Sequence, residues 1–252
     1  MPQEKRQDEI LALVKERSFV SIDDLVAHFN VTPQTIRRDL NQLANDNKLR
    51  RHHGGAGTVS SVTNTEYTKR KIMDAAAKEK IAARIASLIP DGSSLFINIG
   101  TTTETVARAL LNHKNLRVVT NNLHVASILA IKDDFTVLIA AGEVRHRDGG
   151  IIGEATEDFI NQFKMDFGII GISGIDEDGS LLDFDFREVR VAQSIMRNSR
   201  RVVLGADGSK FGRFAMVKLG NISQANDFVT DTQPPEAINE LMRKNEVNLH
   251  IV

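Results

Sequence analysis

The chain contains no cysteine. Disulfides, thiol nucleophiles and cysteine-based zinc sites are therefore excluded. No apolar run approaches the roughly 18 residues that a membrane-spanning helix needs. The opening stretch, MPQEKRQDEI, is charged throughout and has no apolar core. No secretory signal is expected there, and a cytoplasmic protein follows by elimination. There is also almost no net charge: 32 Lys and Arg against 33 Asp and Glu give −1. No global field draws such a chain to nucleic acid, so any DNA binding must come from a local basic patch. What remains is ordinary globular composition. The 252 residues are 41% hydrophobic and 26% charged, enough for one large domain or a small one plus a medium one.

Helix signals dominate the first fifty residues. In DEILALVKER, Ile10, Leu13 and Val14 fall at i, i+3 and i+4 and make one apolar stripe. SIDDLVAHF begins with Ser21, a good N-cap, and carries Asp24 three positions on. A tight turn at Asn30-Val31 follows. The third helix is marked by Thr32 as N-cap and Pro33 as its first residue. Ile36, Leu40 and Leu43 then face a core. At about 100° per residue, Gln34, Arg38 and Asn41 project to the opposite side, flanked by Thr35, Arg37 and Gln42. Amides, hydroxyls and arginines suit base edges and phosphates in a major groove. The free N–H groups at the helix start can hold a backbone phosphate.

Three short helices, the last two joined by a tight turn, make a helix-turn-helix with the third helix in the recognition position. KLRRHHGGAG comes next and reads as a small β-hairpin wing. Arg50, Arg51 and His52 lie there as candidate phosphate contacts. Between Pro33 and His53, five Lys and Arg stand against Asp39 and Asp46, a local charge of +3. That is the required patch. His52 and His53 point apart on a strand and have no partner ligands, so no metal is expected.

Residues 56–72 are small and polar and read as a flexible connection. Helix formers take over near Ala75, with Ile81, Ile85 and Leu88 in one stripe. After Gly92, strands and helices alternate: SLFINI, TETVARALL, LRVVTNN, HVASILAI, FTVLIAAGE, FGIIGISGI, REVRVAQSIMRNS, RRVVLGADG, FVTD, VNLHIV. This predicts an α/β domain with a mainly parallel sheet. Ligands of such sheets bind beyond the carboxyl ends of the strands. The candidate effector residues at those ends are Asn98, Gly100, Thr101, Thr102 and Thr103, then Thr120, Asn121 and Asn122. Arg145, Gly171, Asp207 and Lys210 complete them. Backbone N–H groups at Gly100–Thr102 plus a helix N-terminus would stabilise a phosphate. Lys210 and Arg145 are the candidate cations, with Arg147 beside them.

VTPQTIRRDLNQL followed by RRHHGGA resembles the DeoR family of bacterial repressors. NIGTTT, VVTNN, AAGEVR, GISGID and DGSKFG extend the resemblance over essentially the whole chain. It implies a winged helix-turn-helix with the DNA-reading unit at residues 21–40 and the wing at Arg50–Gly55. It also implies a sensor domain similar in fold to ribose-5-phosphate isomerase and glucosamine-6-phosphate deaminase. Such sensors bind phosphorylated sugars or polyols. RDGGIIGEAT, DFGIIGISGID, DGSLLDFD and SKFGR resemble members that answer to glycerol 3-phosphate. Two departures bear on which polyol phosphate fits: Asn98 stands where the family often has Asp, and the Gly205–Gly208 turn varies.

The expected division is residues 1–57 for the DNA reader, 58–74 for the linker and 75–252 for the sensor. Two functions from different classes stay open. One is a repressor, a homodimer or homotetramer on double-stranded operator DNA, released by a phosphorylated polyol or sugar. It needs no cofactor and no membrane. The other is a sugar-phosphate isomerase or deaminase fused to a reader. For that chemistry Glu143, Asp176 and Glu188 are the available carboxylates, though no catalytic pair is evident among them.

Overall fold

The computed structural model describes residues 1–17, 19–46, 48–52, 54–57, 64 and 67–252, the side chain of His52 excepted. The first apolar stripe forms α1 (Gln3–Arg17), with Ile10 and Val14 buried. A short strand that periodicity does not reveal follows, β1 (Phe19–Ser21). In α2 (Ile22–Phe29) the expected cap is present. Ser21 Oγ accepts from the Asp24 amide at 3.0 Å and donates to Asp24 Oδ2 at 2.6 Å. Asn30 ends the helix in the left-handed conformation, φ 50°. In α3 (Pro33–Asn45), Thr32 Oγ1 accepts from the Thr35 amide at 3.3 Å. Such a cap is worth about 1 kcal/mol. Ile36, Leu40 and Leu43 are buried as their spacing predicts. Asp39, on the same inner side, is tied to Arg6 of α1 at 2.6 Å.

The expected hairpin is β2 (Arg50–His52) with β3 (Gly55–Gly57). β1 joins it, giving a three-stranded antiparallel sheet in the order β1-β3-β2. Gly55 makes this possible: a Cβ there would lie 2.4 Å from the Val20 carbonyl oxygen.

The connection departs from expectation. Residues 58–63, 65 and 66 lie outside the described residues. Tyr67–Ile72, read as flexible, forms a helix, α4. It has no apolar stripe and none of its residues is fully buried, which is why periodicity misses it. Polar contacts to Lys78 and to Glu104 hold it instead. α5 (Ala75–Ser87) follows and buries Ile81, Ala82 and Ile85.

The alternation then proceeds through β4 (Ser94–Ile97), α6 (Thr101–Ala109), β5 (Arg117–Thr120), α7 (Leu123–Leu129) and β6 (Thr136–Ile139). Next come β7 (Glu143–Val144), β8 (Ile151–Ile152), α8 (Glu154–Ile160), β9 (Met165–Ile170), β10 (Gly174–Ile175) and β11 (Ser180–Asp183). The chain finishes with α9 (Phe186–Arg197), β12 (Ser199–Gly205), β13 (Val217–Asn221), β14 (Asp227–Thr230), α10 (Glu236–Lys244) and β15 (Asn248–Ile251).

Seven strands form one parallel sheet in the order β15-β14-β12-β9-β4-β5-β6. α5, α6 and α7 cover one face. α8, α9 and α10 cover the other, with a small antiparallel sheet β10-β11-β13 beside them. From β4 the chain winds one way through β5 and β6, and later the other way from β9. The order therefore reverses between β4 and β9, and a crevice opens beyond the carboxyl ends of strands at such a point. The turns after β4 and β9 contain Gly100 and Gly171. Among the described residues no helix is long and apolar enough to cross a membrane.

Candidate functional site

The outer face of α3 gathers the expected groups. Thr32, Gln34, Thr35, Arg37, Arg38 and Asn41 line one shallow depression. None of these side chains is buried, so the face is open to a partner. The wing residues do not join them. Arg51 turns back on its own hairpin and donates to the Gly55 carbonyl at 3.3 Å. Burial, with the Arg37 charge nearby, lowers its pKa. The Arg50 guanidinium lies 4.5 Å above the Phe214 ring of the sensor. Of the His52 side chain nothing is described.

A cavity lies where the strand order reverses. Gly100, Thr101 and Thr102 form one wall and Gly171 another, with Lys210 beside them. Gly100 begins α6 at φ 152°, a backbone conformation that favours glycine. A Cβ there would also sit 3.3 Å from Thr103 Oγ1. The amides of the first turn of α6 are therefore presented at the cavity, with the positive end of a helix dipole behind them. Lys210 Nζ lies 3.3 Å from Asp207 Oδ2. Burial works against the Asp207 charge, but Lys210, Ser209 and Lys78 outweigh it and hold the carboxyl below its ordinary range.

Several expected residues stand behind this wall rather than in it. Thr103 is buried and donates to the Asn98 and Gly100 carbonyls at 2.7 and 2.8 Å, closing the turn. Asn98 is 2% exposed and its Oδ1 has no partner among the described residues. Thr120 Oγ1 donates to the Ile97 carbonyl at 2.7 Å. Asn121 Nδ2 donates to the Ile151 carbonyl at 3.1 Å. Asn122 caps α7, accepting from the His124 amide at 2.9 Å. Their hydrogen bonds build the loops that shape the cavity.

Arg145 calls for the clearest correction. Read as a cation for the effector, it is surrounded by carboxylates. Its Nε and Nη2 bond both oxygens of Asp148 at 2.8 Å, Nη1 bonds Asp185 at 2.9 Å, and Nη2 bonds Glu188 at 2.7 Å. Burial opposes its charge, but Glu188 and Asp148 keep it protonated. It does not line the cavity. Arg147 is half exposed and reaches only Asp148 and Asp185, at 3.9 and 3.7 Å.

Other cations line the cavity in its place: Arg70, Lys78 and Arg213, with Arg17 from the end of α1. Lys78 is buried and donates to the carbonyls of Arg70 and Met73. Burial and the Lys210 charge push its ammonium down to about 8. Arg213 donates to the Ser173 carbonyl at 3.1 Å and to Asn64 Oδ1 at 2.7 Å. Asp183, Glu188 and Ser173 supply acceptors and a hydroxyl. No local spacing in the sequence marks these groups, which come from distant elements. Of the carboxylates suited to an enzyme, only Glu188 reaches the cavity. Glu143 is exposed and bonds Arg187 at 3.0 Å, while Asp176 lines a separate depression beside α10. Among the described residues no cluster could hold a metal ion.

Two family descriptions match: "DeoR-like helix-turn-helix domain" over residues 6–62 and "DeoR C terminal sensor domain" over residues 73–232. The chain belongs to the DeoR family of transcriptional repressors. It is 55% identical over 251 residues to the glycerol-3-phosphate regulon repressor of Escherichia coli strain K12, covering 100% of both chains. It is 51% identical to the repressor of the same name from Haemophilus influenzae, covering 96% of this chain and 94% of that one. These full-length DeoR relatives are named repressors, which decides against the enzyme. Ribose 5-phosphate isomerase A from Neisseria gonorrhoeae aligns with a TM-score of 0.40 at 17% identity, covering 53% of this chain and 52% of that one. A likeness of that size transfers neither activity nor ligand.

Proposed function

We propose that the chain holds an operator until a small phosphorylated polyol or sugar releases it, with glycerol 3-phosphate, the compound in its relatives' names, as the effector. One observation carries this: a single cavity is lined by the Gly100–Thr102 turn of the sensor and by Arg17 of the reader's first helix. An anion bound there would touch both halves of the molecule. The Arg50 stack on Phe214 makes a second contact between them. An effector shifts the equilibrium only by binding one arrangement more tightly than the other. A contact shared by reader and sensor is where that difference can arise.

On DNA, Gln34, Arg38 and Asn41 would read base edges, with Thr32, Thr35 and Arg37 on the phosphate backbone. Arg50, Arg51 and His52 would serve the wing. A homodimer or homotetramer would set two α3 helices about 34 Å apart, one turn of the duplex. The working units are residues 1–57 as reader, 58–74 as connector and 75–252 as sensor, in a cytoplasmic protein. Lys210 and the Gly100–Thr102 amides would hold the phosphate.

A gel-shift titration of an operator fragment tests this. Millimolar glycerol 3-phosphate should free the DNA while inorganic sulfate at equal ionic strength does not. A panel of triose and hexose phosphates without effect on DNA affinity would remove the proposal.

A further inference from the structure

The cavity lining carries two chemically distinct sets of groups. One is the start of α6 with Lys78 and Lys210. The other is Asp183, the last residue of β11, and Glu188 in the first turn of α9. The charges acting most on Lys78 are Lys210, Asp207, Asp74 and Arg70. Those acting most on Asp183 are Arg70 and Arg213, and those acting most on Glu188 are Asp183, Arg145 and Asp148. Arg70 acts on both groups, and Arg213 feels both Asp183 and Asp207, so these two guanidiniums link them.

Each carboxylate keeps one oxygen back. Asp183 is 6% exposed. Its Oδ1 accepts from Ser173 Oγ at 3.0 Å and from the Phe184 amide at 2.7 Å. Its Oδ2 makes no hydrogen bond to another described residue. Glu188 Oε2 is taken by Arg145 at 2.7 Å, and its Oε1 likewise makes none. Both residues line the cavity, so a ligand bound there can supply donors to the two open oxygens. Burial raises both acids, and the Asp183 charge helps push Glu188 up to about 7.

We propose that Asp183 and Glu188 read the hydroxyl end of the effector, so that the site selects a monophosphate whose far end carries neutral hydroxyls and rejects one whose far end carries a carboxylate. This rests on the phosphate site proposed above. Alcohol O–H groups donate to the two open oxygens. A carboxylate there would bring no donor to either open oxygen and would lie against two acids, and mismatch of that kind is how many sites obtain specificity.

Calorimetric titration of the full-length protein at pH 8 tests it, with glycerol 3-phosphate, 3-phosphoglycerate and inorganic phosphate as ligands. The native chain should bind glycerol 3-phosphate at least tenfold more tightly than 3-phosphoglycerate. Asp183→Asn and Glu188→Gln, which keep shape and one acceptor oxygen, should each narrow that ratio severalfold and leave inorganic phosphate binding unchanged. Equal affinity of the native chain for the two organic phosphates, or an unchanged ratio in both variants, overturns the hydroxyl end. In either case, loss of binding in Lys210→Ala would leave the phosphate site standing. If the native chain binds none of the three ligands, the phosphate site and the hydroxyl end fall together.

Discussion

Tyr67 donates its phenolic hydrogen to Glu104, with the hydroxyl 2.9 Å from Oε2 and 3.0 Å from Oε1. Tyr67 belongs to α4, between reader and sensor. Glu104 lies buried in the helix that starts at Gly100. The Tyr67 ring stacks on His124 at 5.4 Å with the planes 9° apart. Burial and the Glu104 bond raise the phenol above its ordinary pKa, so it stays a donor. At its other end α4 is held by Lys78. The connector is thus fastened to residues that adjoin the cavity, and a ligand that moves the α6 start or Lys78 also acts on α4.

Tyr67→Phe keeps the stack and deletes the bond. A hydrogen bond to a charged group is worth roughly 1.5–3 kcal/mol. The melting temperature should fall by several degrees, at about 2–4 °C per kcal/mol for a chain of this size. Effector affinity should change little, while the effector concentration that frees half the operator should shift at least fivefold. Superimposable release curves for Phe and Tyr would show that α4 plays no part in transmission.

Lys210→Ala removes the cavity cation that lies 3.3 Å from Asp207. Effector affinity should drop more than tenfold, with operator affinity in the absence of effector unchanged. The result is a repressor that stays on DNA. Paired calorimetry and gel shifts read the two effects separately. A normal effector response in this variant would mean that the phosphate binds elsewhere.

The reader was more legible in the chain than the cavity, and the difference is physical. Thr32, Pro33, Ile36 and Leu40 act on their own neighbours, so local spacing marks both α3 and its outer face. The Val- and Ile-rich strands announce the sheet in the same way. Thr103 and Asn122 are harder, because a hydroxyl or amide at a helix start caps a turn as well as it holds a ligand. Here they cap. Arg145 looked free because Asp185 and Glu188, some forty residues on, reach it only in the fold. Lys78, Arg213 and Asp183 meet through the same long-range topology. α4 has no apolar period, and Tyr67 finds its partner 37 residues away.

Arg38→Ala tests the reading face. Loss of a bidentate base contact costs on the order of 1–3 kcal/mol, about 5- to 150-fold in operator affinity. Discrimination should relax at one base position, while calorimetric effector binding stays intact. An operator affinity within twofold of native would place base reading on other residues of α3.

Glu188 sets a pH dependence. Its folded pKa of about 7 exceeds the ordinary 4.5, owing first to burial and then to Asp183 and Asp148, with Arg145 opposing. A carboxyl raised on folding adds stability below its unfolded pKa, and that stability is lost as pH rises through the folded one. The native melting temperature should therefore fall from pH 5 to pH 8 relative to Glu188→Gln, with the two curves converging toward pH 5. Parallel curves over that range would show that Glu188 ionises freely in the folded chain.

Arg17 lines the cavity from the reader's side, at the last position of α1. It is exposed and is not among the residues that line the α3 face, so Arg17→Ala should leave operator affinity without effector unchanged. If the effector favours the DNA-free arrangement partly through this guanidinium, its removal lowers the coupling between ligand and release. A coupling of 1–3 kcal/mol corresponds to roughly 5- to 150-fold between the effector's affinities for free and DNA-bound protein. That ratio should shrink in Arg17→Ala, and calorimetry with and without operator measures it directly. Because coupling is reciprocal, operator affinity at saturating effector should rise by the same factor. An unchanged ratio would mean that the Arg17 guanidinium plays no part in the coupling.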